Sequence, residues 1–117
     1  MKKDPNIFLR HILESIERID EFTRSISRKQ FLNSVQIQDA VIRRLEIIGE
    51  AAKNIPNEFK KKYPNIPWAE MAKTRDKLIH GYFGVDLELT WDIVNKDLPD
   101  LENKIREVLK EARKLKS

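Results

Sequence analysis

The chain has 117 residues, enough for one domain with a substantial core and too few for two. It contains no cysteine, which excludes disulfides and thiolate metal sites and fits a reducing compartment. Lys and Arg outnumber Asp and Glu by 23 to 19, and no apolar run approaches the roughly 20 residues of a membrane span. The opening Met1-Lys2-Lys3-Asp4-Pro5 is basic but lacks the apolar stretch of a signal peptide. A cytoplasmic location is therefore expected.

Only three glycines, with no repeat or low-complexity tract, indicate long helices and short connections. Asp4-Pro5 reads as a helix start, Asp as the cap and Pro at the first helical position. Leu9, Ile12, Ile16, Ile19 and Ile26 then share one helical stripe with Thr23 in the remaining slot, and Phe8, Leu13 and Phe22 widen it. A second helix is predicted from about Ser34 to Asn54. Its centre line is Ile37, Val41, Leu45, Ile48 and Ala52, with Val35, Ile42 and Gly49 on one flank and Ala40, Ile47 and Ala51 on the other. Asp39, Arg43, Glu46 and Glu50 gather on the opposite, polar face. So wide an apolar arc predicts more than one neighbour, as in a bundle that also dimerises.

Pro56, Pro64 and Pro67 break the next stretch, leaving a short helical turn around Asn57–Lys62 and a third main helix from Pro67-Trp68 to about Gly81. Residues 85–93 match two patterns. Val85, Leu87, Leu89, Trp91 and Ile93 alternate like a strand, yet Leu87, Trp91, Val94, Leu98, Leu101, Ile105 and Val108 keep helical spacing. A lone strand would have no partner here, so helix is chosen, with Pro99 kinking or splitting it. The predicted fold is an all-α, up-and-down bundle of four to five helices spanning residues 1–117.

The C-terminal Lys104–Ser117 carries Lys104, Arg106, Lys110, Arg113, Lys114 and Lys116 against Glu107 and Glu111. That surplus favours either a polyanion such as RNA or the negative end of the helix dipole, and the second reading is preferred. Trp68 and Trp91 offer stacking surfaces for bases, but both sit on apolar stripes and are assigned to the core. His11 flanks the first stripe and is read as a surface residue.

The chemistry concentrates in Arg75-Asp76-Lys77-Leu78-Ile79-His80-Gly81-Tyr82. A guanidinium, a carboxylate, an imidazole and a phenol lie within about two helical turns. On a helical wheel Arg75 falls in the middle of the apolar arc of Trp68, Met71, Ala72, Leu78, Ile79 and Tyr82. That position requires a carboxylate partner or a functional cleft. Asp76 and His80, four apart, would be neighbours on one face, where the carboxylate can orient the imidazole and favour its charged form. Arg75 and His80, in contrast, would point about 140° apart on a regular helix. Either the last turn distorts before Gly81 or two subunits share the cleft.

In order and spacing Arg75–Tyr82 resembles the RX4HXY signature of HepT-like proteins of the HEPN superfamily. Arg44-Leu45-Glu46-Ile47-Ile48-Gly49-Glu50-Ala51-Ala52, Tyr63-Pro64-Asn65-Ile66-Pro67-Trp68 and Trp91-Asp92-Ile93-Val94-Asn95-Lys96-Asp97-Leu98-Pro99 extend the resemblance over nearly the whole chain. The resemblance implies an α-helical bundle that forms a homodimer, with the motif cleft at the interface. It implies a metal-independent endoribonuclease, the toxin of a type VII-like toxin–antitoxin system, cleaving RNA by 2′-OH attack. Its partner would be an MntA-like minimal nucleotidyltransferase that AMPylates the motif tyrosine. Carried onto this chain, His80 and Arg75 are the catalytic residues, Asp76 orients, and Tyr82 accepts AMP donated from ATP by the partner. Asp76 stands where these proteins often have Asn. No cofactor and no metal are expected. Glu50 is a candidate contact to the cleft or the partner. The alternative reading is a non-catalytic HEPN partner that binds a nucleotide or substrate for a cognate nucleotidyltransferase.

Overall fold

The computed structural model describes residues 4–80 and 84–116, with backbone alone at His80 and residues 112–116. Four helical rods make the bundle, and short helices fill the corners between them. The all-α expectation holds, with one two-residue antiparallel ladder added.

Helix α1 (Pro5–Thr23) begins as the sequence predicts. The Asp4 carboxylate accepts the Asn6 N–H at 2.9 Å and Pro5 occupies the first turn. Leu9, Ile12, Ile16 and Ile19 are buried along its inner stripe. Thr23 is buried among them, and its hydroxyl is satisfied by donating to the Ile19 carbonyl at 2.8 Å. Helix α2 (Arg28–Leu32) is an addition to the predicted elements. It starts on a reciprocal cap, Gln30 N–H to Ser27 Oγ at 3.1 Å and Ser27 N–H to Gln30 Oε1 at 2.8 Å. It carries the fully buried Phe31, whose ring centroid lies 5.2 Å from that of Trp91.

Helix α3 (Val35–Asn54), capped by Ser34, packs on α1 along one side and on a later helix, α5, along the other. Val41, Leu45, Ile48 and Ala52 are buried as the centre line requires, and Ile37 is half-buried. Helix α4 (Asn57–Lys62) is the predicted short turn. Helix α5 (Trp68–Leu78) follows the two prolines. Trp68 is buried and its indole donates to the Tyr63 carbonyl at 3.0 Å, and Trp91 is half-buried against Phe31, so both tryptophans pack as core residues.

Three expectations are corrected. Helix α5 ends at Leu78, short of Gly81, because Ile79 is extended (φ −99, ψ 107). Ile79–His80 (β1) pairs antiparallel with Gly84–Val85 (β2) in the register Ile79↔Val85 and His80↔Gly84. The strand pattern at Val85 therefore does find a partner, and helix α6 (Leu87–Asp92) starts just after it, capped by Asp86. Arg75 does not sit in the middle of a buried arc. Trp68, Met71 and Leu78 are buried, but the Arg75 side chain is 59% exposed.

Pro99 does not split the last rod. A π turn (Ile93–Asp97) joins α6 to α7 (Leu98–Lys116) in one continuous helical run. Proline has no N–H and its ring excludes the carbonyl four residues back. The wider turn accommodates it: Leu98 N–H donates to the Ile93 carbonyl, and the Asn95 amide gives the Trp91 carbonyl a donor at 2.9 Å. In the basic C-terminal stretch, Lys104 pairs with Asp100 at 3.0 Å and Arg106 with Glu102 at 2.9 Å. No helix among the described residues is long and apolar enough to cross a membrane.

Candidate active site

Arg75 stands in the last turn of α5, with Lys77 beside it, where cations complement the helix dipole. Its carbonyl accepts the Ile79 N–H, the last helical bond before the chain straightens. In a continuing helix the Leu78 carbonyl would take a donor from the next turn. Instead it accepts the Asp86 N–H at 2.8 Å, so the helix end is satisfied from across the ladder.

This break changes the geometry of the motif. His80 lies on an extended segment, so the helical separation of about 140° from Arg75 no longer applies. The same break removes the i,i+4 relation of Asp76 to His80. Asp76 is exposed, and its carboxylate makes no hydrogen bond or ion pair with a described residue. The His80 side chain and Tyr82 lie outside the described residues.

The group that meets Arg75 is Glu46, on α3. Its Oε2 lies 3.5 Å from the Arg75 Nε, and the Glu46 side chain is 32% exposed. The Arg75 side chain makes no other ion pair, and donates no hydrogen bond, among the described residues. The guanidinium is thus held by charge while its N–H groups stay available to an anion such as phosphate.

Sequence patterning puts Glu46 on the polar face of its helix, and the close helix crossing brings it to α5. A Cβ added at Gly49 would lie 3.1 Å from the Met71 carbonyl and 3.6 Å from that of Ala72. Gly49 therefore marks where α3 and α5 touch backbone to backbone. The helices run antiparallel at this crossing, so one turn back on α3 meets one turn forward on α5. Those positions are Glu46 and Arg75. Gly49 was the readable signal.

Glu46 also lines a groove of about 290 Å³ between α1 and α3, with Phe8, His11, Arg43, Ile47, Glu50, Ala51 and Asn54. Glu50 is exposed on this groove and its carboxylate pairs with Lys53 at 3.4 Å. His11 is exposed, as expected, and shares the groove with Arg75's partner. A larger cavity of about 340 Å³ opens on another side, among α3, α5, the π turn and α7, and Arg75 does not line it. Three or more His, Cys, Asp or Glu side chains placed to hold a metal ion occur nowhere among the described residues.

Comparison with known proteins gives the family. The model of a family described as "Ribonuclease HepT-like" matches residues 12–108. The chain belongs to the ribonuclease HepT-like family. It is 54% identical to "Probable ribonuclease HepT" of Thermococcus cleftensis over 94% of this chain and the whole of that protein. It is 42% identical to "Putative RNase TTE0752" of Caldanaerobacter subterraneus over 95% of this chain and 99% of the relative. A third relative is "Gamma-glutamylcyclotransferase and putative RNase MJ0434" of Methanocaldococcus jannaschii, 55% identical over the full chain. The chain spans only 53% of that longer protein. No solved structure matches the chain.

Proposed function

We propose that this chain is a metal-independent endoribonuclease in which Arg75 and His80 act together on one RNA phosphate. The observation that carries this reading is the Arg75 guanidinium: exposed, charged, and donating no hydrogen bond to a described residue. In the proposed reaction the His80 imidazole takes the proton of a ribose 2′-OH. The 2′-oxygen attacks the adjacent phosphorus, and the bond to the 5′-oxygen breaks as that oxygen regains a proton. The products are a 2′,3′-cyclic phosphate and a 5′-hydroxyl. Arg75 stabilises the charge that builds on the non-bridging oxygens. The need for a 2′-OH makes RNA the substrate.

The wider reading places this enzyme as the toxin of a toxin–antitoxin pair, active as a homodimer with the motif cleft at the interface. The Tyr82 hydroxyl would attack the α-phosphorus of ATP on an MntA-like nucleotidyltransferase, releasing pyrophosphate and leaving AMP on the phenolic oxygen. The added bulk and negative charge would repel RNA from the cleft. Asp76 would support the motif by orienting the His80 imidazole or through its charge.

The test is cleavage of varied RNAs in the presence of a chelator by wild-type protein with Tyr82 bare by intact mass, beside Arg75→Ala and His80→Ala. Cleavage by wild type alone, leaving cyclic phosphate ends, is expected. Absence of cleavage in all three would sink the enzyme reading and leave the non-catalytic partner of a nucleotidyltransferase.

A further inference from the structure

Glu46 joins two features that the motif alone does not connect: the Arg75 guanidinium on α5 and the groove between α1 and α3. We infer that Glu46, which lines that groove, is a positioning residue for Arg75, holding the guanidinium so that its remaining donors face a bound phosphate. The inference rests on the ribonuclease reading for its functional consequence, but the contact itself does not.

The argument starts from side-chain freedom. A solvent-exposed arginine on a helix end samples many rotamers, and fixing them at the moment of reaction costs rate. Arg75 is 59% exposed and no hydrogen bond to a described residue restrains it. Among the described residues Glu46 supplies the one ionic restraint, from a side chain only 32% exposed. The closest approach, 3.5 Å, is at Nε, the stem side of the guanidinium. An anion bound there can coexist with a phosphate on the terminal nitrogens, because the group has five N–H donors in a fixed fork.

A carboxylate beside a phosphate-binding cation also has an opposing effect. It lowers the local positive potential and so weakens ground-state attraction to RNA. The two effects separate in kinetics. Removing the charge should relax the position, lowering kcat, while leaving KM unchanged or reduced. Exposed ion pairs of this kind are worth roughly a factor of two to five. A merely structural Glu46 would instead lower the unfolding midpoint, reduce apparent kcat only in proportion to the fraction folded, and leave the ordering of Arg75 in the folded protein unchanged.

The experiment compares wild type, Glu46→Gln and Glu46→Asp on one RNA oligonucleotide. In parallel, the steady-state heteronuclear NOE of the Arg75 Nε–Hε group is measured by NMR, and unfolding midpoints check folding. For Glu46→Gln a kcat lower by roughly two- to fivefold is expected, with KM not raised and a smaller NOE. Glu46→Asp, which keeps the charge on a shorter stem, should fall between. An unchanged or higher kcat in Glu46→Gln, or an Arg75 Nε as mobile in wild type as in Glu46→Gln, would overturn the inference. Should wild type cleave no RNA, the ribonuclease reading fails by itself. The NOE then still decides whether Glu46 orders Arg75.

Discussion

Gly49 lies so close to Met71 that a methyl group on its α-carbon would stand 3.1 Å from the Met71 carbonyl oxygen. That approach sets the distance between α3 and α5, and with it the meeting of Glu46 and Arg75 one turn away. Alanine at this position gains about 1 kcal/mol of helix propensity, set against a contact tighter than backbone normally tolerates. Gly49→Ala should therefore be near neutral, within about 1 kcal/mol. Gly49→Val adds branching against a rigid carbonyl and should destabilise by about 2–3 kcal/mol. Urea unfolding of both variants checks the order. Equal stabilities for valine and glycine would mean the helices separate freely, and the crossing would not govern the site.

Phe31 is fully buried although it sits on a helix of only five residues. Its ring packs on Trp91, and the buried Gln38 amide donates to the Phe31 and Leu32 carbonyls at 2.9 and 3.1 Å. Helix α2 is thereby tied to both α3 and α6. Phe31→Ala should cost about 3–5 kcal/mol, read as a lower urea midpoint with little change in slope. A loss below about 1 kcal/mol would show that the corner refills itself.

The contrast between α1 and α5 explains what the sequence could reveal. Asp4-Pro5 and the stripe from Leu9 to Thr23 are local signals, and the structure follows them. The end of α5 is set by a distant competitor. Helical spacing continues past Leu78, but the Asp86 N–H takes the Leu78 carbonyl, and no pattern within residues 68–82 announces that. Helix α2 is too short to show periodicity, and only the Ser27/Gln30 cap betrayed it. The pairing of Glu46 with Arg75 is hidden for another reason. A helical wheel separates polar from apolar faces but cannot say where a neighbouring helix crosses.

Asp86 serves the site twice, through its backbone on Leu78 and through its side chain on α6. The carboxylate accepts the Leu89 N–H at 2.9 Å, and the Asp86 carbonyl accepts the Thr90 hydroxyl at 2.7 Å. Asp86→Ala keeps the backbone bonds but loses the cap, and should cost about 1 kcal/mol. Asp86→Asn should restore most of it, since the two caps are of similar strength. Hydrogen exchange at Asp86 and Leu89 is the sharper readout. Faster exchange at Leu89 with little change at Asp86 is expected for the alanine variant. Equal acceleration at both would mean that cap and ladder open as one unit.

Tyr63 gives the molecule an alkaline dependence of known sign. Burial first, and the negative charge of Glu111 second, raise its phenol above the ordinary value of 10.0. Its ring packs 5.0 Å from Phe59, and its carbonyl holds the Trp68 indole. The folded state therefore favours the neutral phenol more than the unfolded chain does. Its contribution to stability is fully present below the unfolded pKa, about 10. It is lost as pH rises from there through the higher folded pKa, because the unfolded chain ionises first. Tyr63→Phe removes the titrating group while keeping the ring. Between about pH 9 and pH 11 wild type should lose more stability than Tyr63→Phe, the difference isolating this phenol from the lysines that titrate alongside it. Parallel stability curves for the two proteins would mean that Tyr63 ionises as readily folded as unfolded.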